Sequence, residues 1–137
     1  MLTAYLDDSG TSPTNKVALV AGYLSSVKLW EEFNEKWRTL LDVYGIKTLH
    51  RVELEAFQGE FKDWNNHRRT EFLKKAHKII RRFTYTAIGS AIVKADFDEV
   101  IPKGDFIRTF AGVYGWCAHA CIVALLDWRQ RHNYSAA

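Results

Sequence analysis

A chain of 137 residues, 47% hydrophobic and 14% aromatic, buries a core of its own, which excludes extended disorder. Its 19 Lys and Arg against 16 Asp and Glu leave a formal charge of +3, too mild to argue nucleic-acid binding by itself. Met1 runs into an apolar segment without a charged leader, and the longest apolar stretch, about 112–126, contains His119 and is too short to span a bilayer, so a cytoplasmic protein with no membrane partner is expected.

Residues 2–6 read as a short strand and residues 17–24, Val-Ala-Leu-Val-Ala-Gly-Tyr-Leu, as a second. The second is nearly continuously apolar, which suits a strand covered on both faces. The Ser-Pro-Thr-Asn loop between them predicts an antiparallel hairpin. Ser25 and Ser26 offer an N-cap to a helix running to about Tyr44 and stopping at Gly45. Leu29, Trp30, Phe33, Trp37, Leu40, Leu41 and Tyr44 fall on one stripe of it, read as core rather than as a base-stacking platform.

From Ile46 to Asn65 the periodicity fades, and a polar-aromatic connector of that length is often functional. Asn65 or Asn66 then opens a helix to about Phe83, with Phe72, Leu73, Ala76, Ile79, Ile80 and Phe83 as its buried stripe. Lys74, Lys75, Lys78, Arg81 and Arg82 gather opposite that stripe, within about a third of the circumference. Such a face suits either phosphate tracking or plain solvation.

Residues 85–95 form a third strand delivering Asp96 and Asp98 at its end, and Pro102 and Gly104 mark the connection to a long helix over 106–132. The apolar breadth of that helix predicts the central core helix, and Gly112 and Gly115 permit a bend or close approach. Cys117 and Cys121, four apart, share a face that helical backbone cannot close into a disulfide, so free buried thiols are expected. His119 lies about 200° around from Cys117, which argues against a zinc site. Residues 133–137 look like the start of a further strand.

The chemistry concentrates in Tyr5-Leu6-Asp7-Asp8-Ser9-Gly10. Two carboxylates at a strand end are hard oxygen donors suited to Mg²⁺ or Mn²⁺. The same residues also make a good turn, since Asp and Ser bond local backbone and Gly takes positive φ. Asp7 alternates with Tyr5 and Thr3 and faces away from Leu6 and Asp8 while strand geometry lasts. Both acids therefore serve one site only if the chain turns immediately after Asp7. His50 is suited to orienting a water or shuttling a proton, or is a plain surface histidine. Asp96, Asp98 and Asp105 read as loop and cap residues, Asp96 becoming a ligand if strand order brings it beside Asp7.

In its order of Tyr-Leu-Asp-Asp-Ser-Gly, an apolar strand with Ala-Gly-Tyr, a Trp-x-x-Phe-x-x-x-Trp helix and Leu-His-x-x-Glu-Leu, the chain resembles an uncharacterised family catalogued as domain of unknown function 3800. The resemblance runs over about 3–134. It implies an α/β, ribonuclease H-like three-layer core whose mixed sheet begins with an antiparallel hairpin, in mobile-element and defence settings. It further implies a metal-dependent nuclease or phosphodiesterase acting on nucleic acid. Asp7 matches the first aspartate, Asp8 the acidic position after it, and His50 and Glu53 the His-x-x-Glu-like segment. Asp7, Asp8 and Glu53, with Glu55 as the fallback for Glu53, would then hold Mg²⁺ or Mn²⁺, and Lys74, Lys75, Lys78, Arg81 and Arg82 would hold nucleic-acid backbone. In such a site two ions about 4 Å apart activate a water and steady the leaving oxygen.

Two departures count against activity. Asp8 stands where glutamate is commoner, and the further strands and late Ala-Asp helix of the family have no counterpart here. A single ribonuclease H-like domain over 1–137, cut at its C-terminus and short of one acidic ligand, is the expectation. Its open strand edge and uncovered helix faces predict self-association. The alternative is a catalytically inactive scaffold or interaction module of the same fold. No short two-helix unit with a tight turn is visible, which argues against a helix-turn-helix regulator.

Overall fold

The computed structural model describes residues 1–10, 12–102, 104 and 106–134, the side chains of 106–111 excepted. In chain order the elements are β1 (Leu2–Ser9), β2 (Val17–Ser26), α1 (Val27–Tyr44), α2 (Arg51–Ala56), a short 3-10 helix (Gly59–Phe61), α3 (Asn66–Phe83), β3 (Thr86–Val93), α4 (Lys94–Val100) and α5 (Phe106–Arg131). Two compact units result, one formed by residues 1–26 and 85–137 and the other by 27–84.

The first unit is a three-stranded sheet of order β1-β2-β3. β1 pairs antiparallel with β2 from Leu2 opposite Ser26 to Ser9 opposite Leu19, and β2 pairs antiparallel with β3 from Val17 opposite Val93 to Leu24 opposite Thr86. The α/β class and the opening hairpin are as the sequence predicts. The mixed sheet is corrected to an antiparallel one among the described residues: the backbone returns at Tyr85, whose N–H donates to Leu24 O at 2.8 Å, and so runs back along β2.

Period-two alternation sorts this sheet into two faces. Ala18 and Val20 of β2, Leu6 of β1 and Ile88 and Ile92 of β3 pack with Val113, Tyr114, Cys117, Cys121 and Leu125 of α5. On the opposite face Val17, Leu19, Tyr23 and Val93 remain 37–43% exposed, so β2 is covered on one side and not on both. α5 is two helical pieces joined at Gly112, whose φ of 57° and ψ of −167° interrupt the helix at one of the two glycines that permit a bend. It buries a stripe rather than its whole girth, since Ile122, Val123 and Leu126 are each more than half exposed. Asp96 and Asp98, expected as loop and cap residues, lie in α4, Asp96 in its first turn; α4 lies against β3 and buries Phe97. Of residues 133–137, where the sequence predicts the start of a further strand, Asn133 is instead a turn at φ +48° and Tyr134 is in no strand, while 135–137 and Asp105 lie outside the described residues.

The second unit is helical. Leu40, Leu41, Ile46, Leu54, Phe61, Trp64, Phe72 and Ala76 form its core. Its rings meet edge to face, with centroids 5.0 Å apart for Phe61 and Trp64 and 5.1 Å for Tyr44 and Phe72. Gly45 ends α1 at φ +68°, its N–H donating to Asp42 O while Ile46 N–H donates to Leu41 O. That is a Schellman closure, and its apolar pair, Leu41 and Ile46, is buried in the core. Asn65 caps α3, its Oδ1 accepting from Arg68 N–H at 2.9 Å. Among the described residues no helix is long and apolar enough to cross a membrane.

The short α2 offers a direct check on which face carries this core. Leu54 is fully buried and Val52 is 79% exposed. Leu54→Ala is expected to cost about 2–5 kcal/mol and Val52→Ala less than about 0.5 kcal/mol in urea unfolding.

Candidate functional site

The pairing of β1 with β2 does not stop at Asp7. Asp7 stands opposite Ala21, Asp8 opposite Val20 and Ser9 opposite Leu19, so the strand continues through both acids. Leu6 packs with the α5 cluster, and Asp8 shares its side of the strand. Asp7 leaves on the other face with Tyr5. Both carboxylates are exposed, and Asp8 N–H donates to Asp7 Oδ1 at 3.0 Å. The condition for a joint site, a turn directly after Asp7, is therefore not met.

The turn comes at Gly10, where φ is +81° and a side chain would run into the Val17 carbonyl. Lys94 secures it: its Nζ donates to Gly10 O at 2.8 Å and Ser12 O at 3.0 Å, and stands 5.8 Å from the centre of the Tyr114 ring. These are charge-assisted bonds that hold the loop following the two acids. A lone lysine at the end of an apolar strand carried no signal of this role.

His50 and Glu53 belong to the helical unit. His50 is exposed at the N-cap position of α2, where its side chain makes no capping bond. Glu53 sits in the first turn of that helix, half-buried, with its carboxylate against Gly59, whose φ of +57° and missing side chain make the room. Glu55, the fallback, is occupied by ion pairs with Arg51 and with Arg69, the latter at 3.1 Å. The structure thus brings His50 and Glu53 to one helix start and carries Asp7 and Asp8 on the other unit. Among the described residues no three His, Cys, Asp or Glu side chains form a group able to hold a metal ion.

The cations of α3 differ in their surroundings. Lys74 is tied to Glu71 at 2.9 Å, and the hydrogen bond and charge of Lys74 hold the Glu71 carboxyl below the usual range. Lys75 lies 5.2 Å from the Tyr44 ring centre and Arg82 5.7 Å from that of Phe83. Lys78 and Arg81 have no ion pair among the described residues.

The cysteines are free and buried, as the sequence predicts. Cys117 Sγ donates to Ala18 O and Cys121 Sγ to Val20 O, and burial, with Cys117 alongside, pushes the Cys121 thiol up. Neither is placed as a nucleophile. A column of rings went unforeseen: Tyr85 stacks on Trp128 at 5.8 Å and Trp128 on His132 at 4.3 Å, with the Tyr85 and Tyr134 hydroxyls 3.5 Å apart. Only the i, i+4 spacing of Trp128 and His132 pointed to it.

No family model, curated protein or solved structure matches this chain. The resemblance set out above therefore stands on its quoted motifs alone.

Replacing Lys94 by Met is expected to cost about 1–3 kcal/mol and to speed hydrogen exchange at the amides around Gly10 and Ser12. Both thiols should resist Ellman's reagent in the native protein and react in full once urea unfolds it; reaction of either thiol without denaturant would show that the α5 interface opens.

Proposed function

We propose that this chain is a ribonuclease H-like domain directed at nucleic acid, with Asp7 as its first metal-binding carboxylate. The observation that supports this reading is the exposed Asp7 on the opening strand of a hairpin-led antiparallel sheet, on the face opposite α5. The motif resemblance points the same way. A divalent ion held there would acidify a water and offset charge on a phosphodiester. A single carboxylate can hold Mg²⁺ or Mn²⁺ together with waters and substrate phosphate, but it does not fit a two-ion site. No hydrolytic step is derived through it. Asp8 leaves on the other face and is not a co-ligand in this reading. His50 and Glu53 enter it only through the resemblance. The cationic face of α3 (Lys74, Lys75, Lys78, Arg81 and Arg82) supplies attraction for a polyanion. The open edge of β1 and the exposed Ile122, Val123 and Leu126 support self-association.

The divergence of Asp7 and Asp8 favours a second reading, an interaction module of the same architecture without hydrolytic activity. Calorimetric titration with Mn²⁺ separates the two. In the nuclease reading binding is saturable, is lost in Asp7→Asn and is kept in Asp8→Asn, and divalent-dependent cleavage of labelled oligonucleotides follows the same pattern. Absence of binding in all three proteins leaves the interaction module.

A further inference from the structure

Within the helical unit, α1 and α3 run side by side, and a groove of about 470 Å³ opens between them. Its floor is carbon: Leu40, Ile79 and Val43, the last 70% exposed. Its rim is cationic, Lys36 from α1 and Lys75, Lys78 and Arg82 from α3, and no carboxylate lines it. None of these four has an ion-pair partner among the described residues. The arrangement follows from helical spacing. Lys36, Leu40 and Val43 stand at i, i+4 and i+7, as Lys75, Ile79 and Arg82 do, so each helix presents a stripe about two turns long. The lysine and arginine stems border the floor while their heads reach water.

A phosphate backbone has no apolar surface to set on such a floor, and Phe83, the ring that lines the groove, is only 5% exposed and offers no face for base stacking. An amphipathic helix matches both parts of the groove. Apolar side chains at i, i+3 or i+4 and i+7 fill the floor, and Asp and Glu on its flanks meet the rim. A second copy matches poorly. The apolar face open on α5, Ile122, Val123 and Leu126, is followed by one acid, Asp127, already paired with Arg131 at 2.9 Å, and by Arg129. We propose that the groove between α1 and α3 docks an acidic amphipathic helix of a partner protein. This inference does not rest on Asp7 or on metal binding, but it takes Lys75, Lys78 and Arg82 out of the polyanion-binding face of the nuclease reading.

The test uses the whole chain and fluorescence anisotropy with three probes. One is a helical peptide of about 15 residues, four turns, with leucines at i, i+3 and i+7 and glutamates beside them. The second has lysines in place of the glutamates, and the third is a single-stranded oligonucleotide of equal length. The acidic peptide is expected to bind saturably and more weakly at high salt, and the basic peptide not to bind. Two kinds of variant read the two parts of the groove. Lys78→Glu with Arg82→Glu removes charge, and Val43→Asp spoils the floor while leaving every cation. Each is expected to weaken binding at least about tenfold, about 1.4 kcal/mol, with the thermal midpoint held within a few degrees because all three residues are exposed. The proposal is overturned if the acidic peptide fails to bind, or if its binding ignores Val43→Asp. It is equally overturned if the oligonucleotide binds in its place, or if sedimentation shows a dimer of the chain that Val43→Asp dissolves.

Discussion

The pairing of β1 with β2 is the constraint from which the rest of the sheet unit follows. Because the ladder runs unbroken from Leu2 to Ser9, alternation commits every residue of β1 to one face or the other. It places Leu6 in the α5 cluster and Asp7 on the exposed side, and it denies Asp7 and Asp8 a common direction. A turn at Asp8, two residues earlier, would have met the condition for a joint site. What prevents it is β2, whose residues Leu19, Val20 and Ala21 supply partners to the last three positions of the strand. The loop then closes where Gly10 can accept positive φ, and Lys94 ties that closure to the end of β3.

Charge is distributed by a similar logic of shared space. Acidic groups near the helical core are engaged: Glu55 by two arginines, Glu60 by the N–H groups of Lys47 and Thr48, Glu71 by Lys74. Two arginines at the start of α3 spread over rings, Arg68 on Trp64 and Arg69 on Phe57. Four cations without carboxylate partners among the described residues, Lys36, Lys75, Lys78 and Arg82, border the exposed valine of α1. A mild net charge of +3 therefore conceals a local excess of one sign.

Much of this was legible in the residues. Gly45 after an amphipathic run and Asn65 before one marked the end of α1 and the start of α3, because capping is a local transaction between a residue and its neighbours three or four positions away. A bend or close approach at Gly112 or Gly115, and the shared face of Cys117 and Cys121, were readable from spacing within one helix. The extent of β1 was not: Asp-Asp-Ser-Gly has the composition of a turn, and only a partner strand about a dozen residues on decides otherwise. α4 hid behind an apolar run that reads on from β3, and the grip of Lys94 on Gly10 joins residues 84 apart in sequence. The candidate site suffered most, since Asp7 and Glu53 were joined in one site by motif order, and motif order carries no information about which unit each residue joins.

The backbone leaves the sheet at Ser26 and comes back at Tyr85, whose N–H is already bonded to Leu24, so the two ends of the 27–84 segment are neighbours. A segment with its own core and adjoining ends behaves as a cassette. Its length and surface can drift, and the whole of it can be exchanged, without disturbing the strand register of its host. Selection on the helical segment is thereby uncoupled from selection on the register of the sheet, and the two units of this chain are free to evolve at different rates.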